Sequence, residues 1–139
     1  MTNSKKLSVV IIADNPLFAE MLKKSMVAGL EEEEISVLTI NSVDQFFKEL
    51  ESNRIQAEAV VLDFSLNKKT TDEKPCKTVI DQLKRISPET PIVVISDEKD
   101  MMEAAMTLQY GANEYVTKDK FAFSHITNAV KSCLNPSRS

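Results

Sequence analysis

With 139 residues, 42% hydrophobic and 27% charged, the chain has the size and composition of one folded domain and is too short for two of ordinary size. A net charge of −4, from 17 basic and 21 acidic side chains, argues against direct nucleic-acid binding or an anionic membrane surface. No apolar run approaches the roughly 18 residues of a membrane span, and Cys76 and Cys133 lie far apart with no CxxC pairing, so a cytoplasmic protein with reduced thiols is expected.

The predicted domain covers 5–135, between loose termini at 1–4 and 136–139. Its first element is the apolar run from Leu7 to Ala13, a buried strand closed by Asp14. Asn15 and Pro16 then open a helix in which Leu17, Phe18, Met21, Leu22 and Met26 recur at helical spacing. Beyond the acidic run Glu31–Glu34, the segment Ile35–Ile40 has the polar interruptions of an edge strand. Ser42-Val43-Asp44-Gln45 reads as a capping box ahead of Val43, Phe46, Phe47 and Leu50.

A third strand, Ala59–Leu62, is closed by Asp63 and followed by a polar loop from Asn67 to Lys74. Val79, Ile80, Leu83 and Ile86 mark the next helix. The fourth strand, Ile92–Ile95, is closed by Ser96. It leads to a helix from Met101 to Tyr110 that ends at Gly111, with Met101, Met102 and Met106 assigned to the core. A short strand, Glu114–Thr117, is followed by Lys118. The last helix carries Ile126, Ala129, Val130, Cys133 and Leu134 on one face and stops at Asn135-Pro136. Five strand–helix units of this kind predict an α/β fold, a mostly parallel sheet with helices on both faces.

Four strand ends therefore carry Asp14, Asp63, Ser96 and Lys118, and in open α/β sheets such ends are where ligands bind. Singly each is ordinary, because Asp and Ser often cap helices and Lys is usually solvated. Together they can form one pocket. With glycine only at 29 and 111, neither a dinucleotide fingerprint nor a phosphate-cradling loop can be written on the chain. The sole histidine, His125, falls on the last helix, which excludes a multi-histidine metal site. Two carboxylates suit Mg²⁺, and a carboxylate can also attack phosphorus, with a lysine and a hydroxyl to meet the phosphoryl oxygens.

The segments IIADNPLF, VVLDFSL, IVVIS and GANEYVTKD resemble, in order, the four signature blocks of the response-regulator receiver family of two-component phosphorelays. The resemblance spans essentially the whole chain. It implies a doubly wound, flavodoxin-like sheet of order 2-1-3-4-5. It further implies that Asp63 is the phospho-acceptor, Asp14 a direct Mg²⁺ ligand, Ser65 a metal ligand through its backbone carbonyl, Ser96 the switch hydroxyl, Lys118 the phosphate-pairing lysine and Tyr115 the switch aromatic.

By the same resemblance the protein is a signalling phosphoprotein rather than an enzyme, with at most slow self-catalysed phosphorylation and dephosphorylation. Its expected partners are a histidine kinase or histidine phosphotransfer protein and a downstream protein reading the 101–134 face. Receivers usually have two acids after the first strand, whereas Ala13 takes the first of those places here, which predicts weakened Mg²⁺ binding. The same departure supports an alternative, a degenerate receiver acting as a phosphorylation-independent interaction module.

Overall fold

A computed structural model describes residues 7–30, 34–64, 76–97 and 100–134. Among these residues strands and helices alternate throughout. They are β1 (Leu7–Ile12), α1 (Pro16–Gly29), β2 (Ile35–Ile40), α2 (Val43–Glu51), β3 (Ala59–Asp63), α3 (Cys76–Ile86), β4 (Ile92–Ser96), α4 (Met101–Tyr110), β5 (Glu114–Thr117) and α5 (Ala122–Leu134). The strands run parallel in one sheet of order β2-β1-β3-β4-β5, the doubly wound order expected from the sequence.

The strands are continuous apolar runs because each serves two cores. Val9, Ile11, Val61, Val93 and Ile95 pack with Leu22 and Met26 of α1 and Ile126 and Val130 of α5. Their neighbours Val10, Ile12, Val60, Leu62 and Val94 point to the opposite side. There they meet Phe46 and Phe47 of α2 and Val79, Ile80 and Leu83 of α3. The two edge strands depart from this pattern: β2 leaves Leu38 exposed, as its polar interruptions predict, and the short β5 leaves Glu114 exposed.

Local signals set most element ends. Asn15 Oδ1 accepts the Phe18 N–H at 3.0 Å with Pro16 in the first turn of α1, and Gly111, at φ 125°, closes α4. The capping box at Ser42 forms only by half. Ser42 Oγ accepts the Gln45 N–H at 3.2 Å, but the Gln45 amide turns forward to Glu49 at 2.7 Å. The first strand ends at Ile12, not Ala13, although the Ala13 N–H still bonds to the Ile40 carbonyl at 3.0 Å. The polar loop Asn67–Lys74 lies outside the described residues.

One core assignment needs correction. Met101 and Met102 are 88% and 71% exposed, and Met106 is exposed as well. The inward side of α4 is made instead by Glu103, Ala104, Thr107 and Tyr110, spaced at three to four residues, so the methionines face out by helical geometry. On α1, Leu17 and Met21 are exposed. That helix packs through the stripe of Ala19, Leu22 and Met26, in which the small Ala19 allows close approach to the sheet.

Candidate functional site

Strand register brings the predicted residues to one sheet edge. Ile12 pairs with Leu62, Asp63 with Ile95, and Ser96 with Thr117. Carried on by one residue, the β1–β3 register sets Ala13 beside Asp63 and Asp14 just past it. Ser96 follows directly on the residue paired with Asp63, and Lys118 directly on Thr117. The Lys118 N–H donates to the Ser96 carbonyl at 2.8 Å, which fixes the two chain segments together.

Asp63 is fully buried, and a carboxylate taken out of water is costly without a partner of opposite charge. Lys118 supplies one: its Nζ donates to Asp63 Oδ2 at 2.7 Å, with 17% of its side chain exposed. The same ammonium lies 4.4 Å from the centre of the Phe18 ring, a cation–π contact that shields its far side, and 3.7 Å from Asp97 Oδ1 on the exposed rim. Burial supplies the electrostatics here. Water is largely excluded from the Asp63–Lys118 contact, so the attraction is stronger than the same pair would have at the surface.

Ser96 and Tyr115, predicted as a pair, do come together, and they do so around a third residue. Ser96 Oγ donates to Glu103 Oε2 at 2.9 Å, and the Tyr115 hydroxyl donates to the same oxygen. The Tyr115 phenol is pushed up to about 12, first by burial and then by its hydrogen bond to the Glu103 carboxylate, against a lowering effect of the Ser96 hydroxyl. Glu103 is the residue at this site that the sequence reading missed, together with the contacts of Phe18 and Asp97 to Lys118. A signal for it exists in the tetrad Asp100-Met101-Met102-Glu103, which has the spacing of a capping box. Asp100 caps α4 by accepting the N–H groups of Met102 and Glu103 at 2.9 and 3.1 Å, while the Glu103 side chain turns inward to the strand ends.

Of the three predicted metal ligands, Asp14 follows β1 and Asp63 ends β3, while Ser65 lies outside the described residues. Among the described residues no group of three or more His, Cys, Asp or Glu side chains could share a metal. Ala13 lines an open groove of 380 Å³ whose other walls include Glu20, Thr39, Asn41 and Gln45. His125 is exposed on α5, as expected, with its ring 6.2 Å from that of Phe121. No helix among the described residues is long and apolar enough to cross a membrane.

Comparison with known proteins agrees with this architecture. Residues 9–131 match the family model described as the response regulator receiver domain. Among solved structures, a response regulator receiver domain protein of Clostridium thermocellum superposes with a TM-score of 0.76 at 17% identity, over 95% of this chain and 97% of that one. A response regulator from Thermotoga maritima gives 0.73 at 17% identity, over 94% and 99%. The RcsB response regulator of Salmonella typhimurium, whose structure concerns DNA interaction, gives 0.79 at 18% identity. It is matched over 94% of this chain but 61% of its own. No curated protein matches the sequence.

Proposed function

Because the chain belongs to the response regulator receiver domain family, a family of signalling domains rather than enzymes, we propose that it accepts a phosphoryl group on Asp63 from a histidine kinase or a histidine phosphotransfer protein. The observation that carries this reading is the fully buried Asp63 carboxylate with the Lys118 ammonium at 2.7 Å. An Asp63 oxygen forms the new O–P bond as the N–P bond of a phosphohistidine breaks, and the leaving imidazole keeps the electron pair. Lys118 stays beside the transferred group and neutralises one of its oxygens.

Receiver domains generally bind Mg²⁺ in their acidic pocket, and the donor set here suits it, since Mg²⁺ is content with one or two carboxylates, its own waters and phosphate oxygens. Asp14 and Asp63 would hold it, with the Ser65 carbonyl. Bound there, it would supply positive charge against the phosphoryl oxygens. Ala13 removes a carboxylate that would order the metal's waters, a loss that typically weakens binding by about 10–100-fold. Ser96 and Tyr115 would then turn toward the phosphoryl group and alter the face formed by α4, β5 and α5. Exposed Met101, Met102, Met106 and Leu108 on that face support a protein partner there.

Ala13 is also the one observation favouring a second reading, a degenerate receiver that binds partners without phosphorylation. The two separate in one experiment. Incubated with acetyl phosphate and Mg²⁺, the wild type should gain the mass of one phosphoryl group and Asp63→Ala should gain none. An unmodified wild type, or equal labelling of the variant, would overturn the phospho-acceptor reading and leave the interaction module.

A further inference from the structure

The shared oxygen of Glu103 has a consequence for switching, given the reading of Asp63 as phospho-acceptor. A serine or tyrosine hydroxyl has one proton to donate. With Ser96 Oγ donating to Glu103 Oε2 at 2.9 Å, that proton is committed, and phosphoryl oxygens offer only acceptors. The two bonds therefore exclude each other. A hydrogen bond to a carboxylate is among the stronger ones, so the resting partner is a serious competitor.

The carboxylate is available for this because α4 does not need it elsewhere. Asp100 already caps the helix, and a negative charge in the first turn is favoured by the helix dipole. Thr107 Oγ1 donates to the Glu103 carbonyl at 2.7 Å from the next turn, and Thr107 is itself buried, so the backbone that carries Glu103 is held from below.

We propose that Glu103 is a positioning residue that holds the Ser96 and Tyr115 hydroxyls in the resting arrangement, so that Ser96 must leave it to reach a phosphoryl group on Asp63 and Glu103 sets the threshold of the switch. Ser96 and Tyr115 are coupled through one oxygen of α4, and the helix is released in part each time Ser96 departs.

The test titrates beryllofluoride with Mg²⁺, a mimic of the phosphoryl group, against wild type, Glu103→Gln and Glu103→Ala, following amide shifts at residues 92–117. Glu103→Ala should saturate at about tenfold lower concentration, the worth of one hydrogen bond to a charged group. Glu103→Gln keeps a neutral acceptor of the same shape and should fall between. Equal or higher concentration for Glu103→Ala, with an unchanged melting temperature, overturns the competition alone. No shift in any of the three proteins overturns the phospho-acceptor reading and the competition with it. In a Tyr110→Phe background without beryllofluoride, absorbance titration should show Tyr115 ionising at lower pH in Glu103→Ala. An unmoved titration removes the shared contact and the proposal.

Discussion

Helices α3 and α4 lie in contact on the same side of the sheet but are held there by different forces. α3 buries Cys76, Val79, Ile80 and Leu83 in the core shared with β1, β3 and β4. α4 buries Thr107 alone and turns four large apolar side chains to solvent, and its Glu103 carboxylate is tied to the strand ends by accepting hydrogen bonds from Ser96 and Tyr115. Apolar burial is non-directional and is lost only by moving the whole element. A hydrogen bond can be exchanged for another of similar strength by turning one side chain. α3 is thus anchored by packing, and α4 by polar contacts that can be exchanged.

The sharpest way to break that contrast is in the core. Leu83→Ala should cost about 3 kcal/mol in urea denaturation, within the range for emptying a fully buried leucine site. A loss under about 1 kcal/mol would mean that α3 is no better anchored than its neighbour.

Alkaline pH probes each helix through one group. Burial pushes the Cys76 thiol of α3 up to about 12, with the Glu103 charge adding to it, and burial with the Glu103 bond does the same to Tyr115 beside α4. Both groups hold their protons more firmly folded than unfolded. Their stabilisation is therefore complete below the ordinary values, 9.0 for the thiol and 10.0 for the phenol, and is lost as pH rises toward about 12. Cys76→Ala should remove the part of the stability loss that begins near the thiol value, and Tyr115→Phe the part that begins near the phenol value. If Tyr115→Phe left the pH dependence of denaturation unchanged, the polar anchoring of α4 would be refuted.

The smallest effect is expected on the outer face of α4. Met102→Ser removes an apolar side chain that is 71% exposed, and should change stability by no more than about 0.5 kcal/mol. A larger loss would mean that Met102 is packed against the protein and that the outer face of α4 is not open.

The same contrast explains what the sequence could convey. The inner strands were readable because runs such as Ile92–Ile95 must feed two cores and so carry no polar interruption, and the edge strands β2 and β5 because they are short β-branched and aromatic segments between helices. Asn15 and Gly111 were readable as helix ends for local reasons of capping and positive φ. The side of α4 that faces the sheet was not. Its methionines have core composition, and hydrophobicity alone cannot reveal that Glu103 and Thr107 face inward. The Asp63–Lys118 contact followed from strand order, whereas Glu103 depends on the rotation of a helix about its own axis, and no pairing register sets that rotation.

The hydrogen bond from the Lys118 N–H to the Ser96 carbonyl makes the two residues that would meet a phosphoryl group parts of one rigid backbone. At 2.8 Å it leaves no slack for one chain to slide against the other. The Ser96 and Lys118 side chains can then turn on a common backbone frame, and torsions about tetrahedral carbons settle in separate wells instead of drifting between them. Fractional modification of Asp63 would consequently appear as a mixture of two geometries in proportion to occupancy, with no averaged form between them.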